Sequence, residues 1–373
     1  MIVKYTSEFA RLTKVLVHTP SDEIDRLTPK NYRDLLFDDI PDKEEMKREH
    51  DEFKQILRNN GVEVLDVKSE LSKLRKEELL NILEQYNYCN IPFSSLDVPQ
   101  LVNIVINGLT IEEAKKLGYE PAVNVDDEFC IPPIPNILFT RDPGIIVKDS
   151  YIVSNMKFEA RKREPSVLRA IVSPEKVITV KQGVIEGGDV MPIVEGVTLF
   201  GFGVRSEVKG LTEVLKKLKE YGDLDEAILL RIETPEARPG RAMIHLDSIL
   251  GIPSDDIMVY YRYVDNLKVY VYKNKEAELQ SKNLIEVMRD YLGRDLRPIR
   301  VGEGTYFDEE REHWLLASNF LTINNGVVVS FEHNRLTNRL LEENGVKVLT
   351  FRGNELIKGG GGPRCMSLPV VKA

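Results

Sequence analysis

The sequence predicts an α/β protein in which one strand–helix–strand unit recurs about five times around a common axis. Three observations lead there. Residues 53–67, FKQILRNNGVEVLDV, pass from helical apolar spacing through Gly61 to alternate apolar spacing: a helix end, a glycine stop and a strand. Residues 340–351, LLEENGVKVLTF, repeat that unit without a gap. Looser copies lie between, at 166–180, 211–232 and 284–301. Units that cannot each bury their own faces gain stability by packing together.

Taken in order, an apolar strand precedes each helix, at 15–17, 151–153, 197–200, 269–272 and 327–329. One region breaks the rhythm. Residues 69–128 carry helical spacing at 71–86, 99–107 and 111–117 and no repeat, so they read as a helical insertion. The body is then 1–68 joined to 129–373. No linker rich in Ser or Gly divides it.

Composition excludes several classes. Net charge is −9 with no basic block, which argues against nucleic acid as a partner. No apolar run reaches membrane-spanning length, and the first residues, MIVKYTSEFARLTK, lack a signal-peptide core. Three cysteines, Cys89, Cys130 and Cys365, cannot all pair, and their sparseness suits a reducing cytoplasm. Five histidines without zinc-ligand spacing predict no metal site. Abundant Lys, Glu, Ile and Val lean toward a thermophilic source.

The unusual polar residues fall after successive units. Asp142 lies within a proline-rich stretch, 132–143, just before its last proline. Glu186 and Asp189 flank two glycines, which strip side-chain cover and let a ligand approach Glu186, or else form a turn with solvated acids. His245 and Asp247, two apart in an extended segment, project to one side. Cys365 ends a run of four glycines, with Arg364 beside it; a neighbouring cation favours the nucleophilic thiolate. One thiol, one imidazole and several carboxylates suit a planar cation. Carboxylates grip a guanidinium bidentately, a thiolate attacks its central carbon, and a His–Glu pair moves protons.

At these residues the chain resembles the arginine deiminase family of the guanidine-modifying (pentein) superfamily. The likeness spans nearly the whole chain. It includes RLTKVLVH at 11–18, LFDDI at 36–40, EHD at 49–51, FTRD at 139–142, EGGD at 186–189, HLD at 245–247 and GPRCMS at 362–367. The resemblance implies a five-bladed pseudo-symmetric α/β propeller with an inserted helical bundle, and neither cofactor nor metal. It implies Cys365 as nucleophile, Glu186 and His245 as proton carriers, and Asp142 and Asp247 as the guanidinium grip. Asn136, Arg161 and Arg205 match positions that hold the substrate's α-carboxylate and nearby groups. Phe139 matches a pocket wall, and Asp189 belongs to the shared motif. The implied partner is a small molecule, L-arginine or a related guanidine, and a homo-oligomer fits. Two departures bear on recognition: the chain is short, mainly in the insertion, and Gly360 stands where some members carry Arg. Three functions follow: hydrolysis of arginine to citrulline and ammonia, amidino transfer to an amine with release of ornithine, or arginine binding without turnover.

Overall fold

A computed structural model describes residues 1–119, 128–233 and 243–373. Five sheets repeat one plan: a first strand, an antiparallel middle strand, a helix, and a last strand parallel to the middle one.

The plan is plain in the second sheet. Gly144–Val147 turns back into Ser150–Val153, the helix Glu164–Ile171 crosses over, and Lys176–Thr179 pairs parallel. The third uses Val190–Val194, Val197–Phe202, the helix Val208–Tyr221 and Glu226–Arg231. The fifth uses Leu321–Asn324, Val327–Phe331, the helix Arg335–Glu343 and Lys347–Phe351. The first sheet joins both ends of the chain. Its first strand is the C-terminal Leu368–Lys372, antiparallel to Leu12–Val17, which is followed by the helix Lys43–Asn59 and by Glu63–Asp66. Gly61 and Gly345, at φ +77° and +86°, let the two matching copies leave their helices in the left-handed conformation that a side chain disfavours.

The fourth sheet corrects a sequence expectation. Its middle strand is Ile257–Tyr260, parallel to Arg297–Arg300 and ahead of the helix Leu284–Leu292. The stretch expected there instead begins a hairpin, Val269–Lys273 with Glu276–Leu279, that extends the third sheet. Ile257–Tyr260 is buried throughout, whereas the hairpin is half-exposed on one strand and exposed on the other. Both precede the same helix, and alternation alone did not separate them.

Helical residues 71–86 are not one helix. Val67–Leu71 ends at Ser72, and Lys76–Glu84 starts anew with Glu78 reaching back to the Arg75 N–H. Val98–Asn107 and Ile111–Lys116 follow, each opened by a reciprocal cap from Asp97 or Thr110. Part of the expected insertion, 120–127, lies outside the described residues. These helices share a core with the first and second sheets through Leu83, Leu101, Val105, Tyr151 and Leu168. Cys89 and Cys130 form a disulfide across this region, which corrects the expectation of reduced cysteines. No helix among the described residues is long and apolar enough to cross a membrane.

Candidate active site

Loops ahead of the first strands and loops after the middle strands meet at one cavity of about 700 Å³. Asn136, Phe139, Asp142, Arg161, Arg205, His245 and Cys365 line it. Glu186, Asp189 and Asp247 stand just behind its wall and are buried.

Short turns aim these groups. Glu186 is extended at the mouth of the turn Gly187–Asp189. Its two glycines do not clear a path for a ligand. A Cβ on Gly188 would lie 2.7 Å from the His245 ring, and one on Gly187 would lie 2.0 Å from the Arg141 carbonyl oxygen. They let the second and fourth sheets' loops close onto Glu186. Burial of Glu186 and Asp189 also removes the solvated-turn alternative. His245 and Asp247 do not share an extended segment. His245 is extended, but Leu246–Ser248 is a helical turn, so the two side chains take different partners. The His245 Nε2 is 2.8 Å from the Glu186 Oε2, while its Nδ1 faces the Asp142 Oδ1 at 3.8 Å. Asp247 points to Arg364, at 2.7 Å, and to the Cys365 Sγ, at 3.7 Å.

The electrostatics follow from these contacts. Burial works against a charged His245, but Asp142 and Glu186 hold its pKa up at about 9. Burial would raise Glu186, yet the bond to His245 and the Arg205 charge bring it down to about 2. Asp189 has no such cation in contact, and burial pushes it up to about 6; it accepts the Ser206 hydroxyl and the Leu246 N–H. The Arg364 charge does favour the Cys365 thiolate, as expected, but it is outweighed. Arg364 donates to Glu8 and Asp247, so its charge is compensated twice. Burial, with Asp247 and Asp142 nearby, pushes the Cys365 thiol well above its ordinary value.

The cavity arginines are also engaged. Arg161 donates to the Asp142 Oδ2 at 2.7 Å and to Glu164 at 2.8 and 2.9 Å. Arg205 donates to the Glu186 Oε2 at 3.0 Å and lies over Phe158. Asn136 donates to the Leu35 carbonyl at 2.6 Å, and Phe139 packs against Gly359 and Gly361. Asp142, Glu186 and His245 approach closely enough to share a cation. Arg161 and Arg205 already occupy those carboxylates, so a divalent ion there would face two guanidinium charges.

Two residues escaped the sequence reading. Asn319 accepts the Cys365 N–H on its Oδ1, and Glu8 holds Arg364 from behind. Asn319 precedes the first strand of the fifth sheet, as Asp142, Asp189, Asp247 and Cys365 precede theirs, and that position was the available signal.

The chain shares this fold with several solved structures. Dimethylarginine dimethylaminohydrolase from Pseudomonas aeruginosa, in complex with citrulline, matches at TM-score 0.59 and 16% identity, over 96% of this chain and 99% of that one. An amidinotransferase of saxitoxin biosynthesis from Microseira wollei matches at 0.58 and 12%, over 99% and 97%. The N-terminal domain of a cyanobacterial arginine dihydrolase, bound to substrate, matches at 0.57 and 16%, over 96% and 98%. The class that these likenesses define is a fold, one mixed α/β architecture shared with these enzymes. Sequence narrows it. The arginine deiminase family model matches residues 33–87 and 69–372. Curated arginine deiminases of Borreliella afzelii (strain PKo) and Staphylococcus aureus (strain JH9) are each 30% identical, covering 98% and 99% of this chain and 97% and 98% of their own. The chain belongs to the arginine deiminase family.

Proposed function

We propose that the chain hydrolyses L-arginine to citrulline and ammonia through a covalent intermediate on Cys365. The observation that carries this reading is the cavity itself. The thiol opens into it beside the protonated His245, and buried carboxylates there outnumber their cations. A substrate guanidinium supplies the missing positive charge. By lowering the thiol's pKa it also makes the nucleophile that the free site withholds.

The Cys365 sulfur bonds to the central guanidinium carbon, and its proton passes into the site's acids. His245 donates a proton as the bond to a terminal nitrogen breaks, and ammonia leaves. The neutral imidazole then takes a proton from water, the water oxygen bonds to the carbon, and the C–S bond breaks to return the thiol and release citrulline. Glu186 keeps the imidazole oriented and favours its charged form. Asp142 and Asp247 grip the guanidinium. Phe139 walls the pocket, while Asn136, Arg161 and Arg205 surround the amino-acid end, with Arg161 exchanging a present partner for substrate. Asp189 braces the Ser206 and Leu246 loops.

The same reading takes the five sheets as the blades of a propeller and 69–128 as its helical insertion. The shared C-terminal and N-terminal sheet supports it. It places the chain in the cytoplasm, on a small-molecule substrate, without nucleic acid, membrane or cofactor, as a candidate homo-oligomer. Net charge −9 supports the exclusion of nucleic acid.

Product analysis tests the activity. Purified protein given L-arginine alone should form citrulline and ammonia in equal amounts, and Cys365→Ala should lose at least about 10⁴-fold in kcat. Ornithine appearing only when an amine is added, without citrulline, would make the chain an amidinotransferase. Arginine binding without turnover would make it a binding protein.

A further inference from the structure

Four of the five sheets place an acid or the thiol just ahead of their first strand. Asp142 precedes Gly144–Val147, Asp189 precedes Val190–Val194, Asp247 precedes Leu250–Ser254 and Cys365 precedes Leu368–Lys372. The remaining sheet places Asn319 there, ahead of Leu321–Asn324. Asn319 is 1% exposed and does not line the cavity.

Its bonds run in two directions. The Oδ1 accepts the Cys365 N–H at 3.1 Å, and the Nδ2 donates to the Asp247 carbonyl at 3.0 Å. Its backbone carbonyl accepts the Arg364 N–H at 3.0 Å. Turning the amide over would set NH₂ against N–H and oxygen against oxygen, so one orientation alone satisfies both partners. The two residues it joins are those whose side chains meet at the thiol, Cys365 and Asp247. Space is reserved for the clip: a Cβ on Gly362 would lie 2.8 Å from the Asn319 Oδ1.

We propose that Asn319 is a positioning residue that fastens the Cys365 backbone to the Asp247 turn and so sets the direction of the thiol and the charge around it. The proposal rests on Cys365 being the nucleophile, and on no particular product. Aspartate is the informative replacement. It keeps the shape and the acceptor for Cys365, cannot donate to the Asp247 carbonyl, and adds a negative charge beside a thiol that already faces Asp247 and Asp142.

The disulfide leaves Cys365 as the one free thiol, so iodoacetamide reads it directly in the whole protein without substrate. Asn319→Asp should move the alkylation midpoint to higher pH. It should lower kcat about tenfold to a hundredfold near neutrality, with a loss that shrinks as pH rises and KM within about threefold of wild type. Asn319→Ala, where it folds, should lower kcat with a smaller shift in the midpoint. A merely structural asparagine would lower Tm and leave the midpoint in place. An alkylation profile and kcat for Asn319→Asp both within about twofold of wild type would overturn the proposal. A shifted midpoint in a protein that makes no citrulline would keep Asn319 and sink the hydrolase reading instead.

Discussion

Cys365 stands between two buried charge clusters built from the same chemistry. On the cavity side, Arg161, Arg205 and His245 face Asp142, Glu164, Glu186 and Asp189. On the sealed side, Arg364, Arg141 and Lys372 surround Glu8, and Asp247 bridges from Arg364 to the thiol. The first has four acids to three cations, and the second has three cations to two acids. The titrations follow that balance. Burial pushes Glu164 up to about 7 despite its bonds to Arg161, because Asp142 and Glu186 compete for the same positive charge. Burial would also raise Glu8, but Arg364 and Lys372 pull it down to about 2. A cluster short of positive charge that opens on a cavity is a vacancy for a cation, whereas one whose acids are fully matched, sealed from it, is a brace.

The largest effect should come from breaking the brace. Glu8→Ala leaves Arg364 with Asp247 as its one carboxylate and should cost about 3 kcal/mol of stability, read as a lowered denaturant midpoint. The sign with pH is fixed by the depressed value. Glu8 stabilises the fold above its unfolded pKa of about 4.5, and this contribution fades as pH falls through about 2. The gap between variant and wild type should therefore close in that window. A gap independent of pH would refute the ionic role of Glu8.

A smaller effect, and a different kind, should follow on the cavity side. Glu164 is half-neutral near pH 7, so Glu164→Gln should change stability by less than about 1 kcal/mol. With Glu164 gone, Arg161 settles more firmly on Asp142, which the proposed mechanism assigns to the substrate guanidinium. KM for arginine should rise about tenfold with kcat largely kept, a difference of about 1.4 kcal/mol. A stability loss as large as that of Glu8→Ala would erase the distinction between the two sides.

The sequence exposed one side of this comparison much better than the other. Asp142, Glu186, His245 and Cys365 were legible because each is an unusual residue placed after a repeat, and the recurring helix–glycine–strand unit was legible from periodicity. Glu8 was not, because it lies in the N-terminal segment, before any repeat, and reaches Arg364 only through folding. Asn319 was hidden by an ordinary side chain, an amide in a stretch with no acid, thiol or imidazole to mark it. Arg364 was given too much weight for a third reason. Adjacency in sequence does not fix pairing, and its side chain is taken up by two carboxylates, one of which, Asp247, also faces the thiol. The bond between Cys89 and Cys130, 41 residues apart, could not be paired from three cysteines.

The finest test of the vacancy is the proton count on binding. L-Arginine added to Cys365→Ala brings a guanidinium to acids that burial holds near pH 6 and 7, Asp189 and Glu164. Positive charge favours their ionised forms, so binding should release protons, fewer than about one per site. The release should be greatest between pH 6 and 7, where these groups are partly protonated before the ligand arrives. His245 adds in the same direction nearer pH 9, since a new cation lowers its pKa too. Calorimetry in buffers of different ionisation enthalpy measures the exchange. The sealed cluster provides the internal control: Glu8 is fully ionised throughout this range, so Glu8→Gln, if folded, should leave the proton count unchanged while Glu164→Gln reduces it. Proton uptake on binding would mean that the cavity acids had enough positive charge without the substrate.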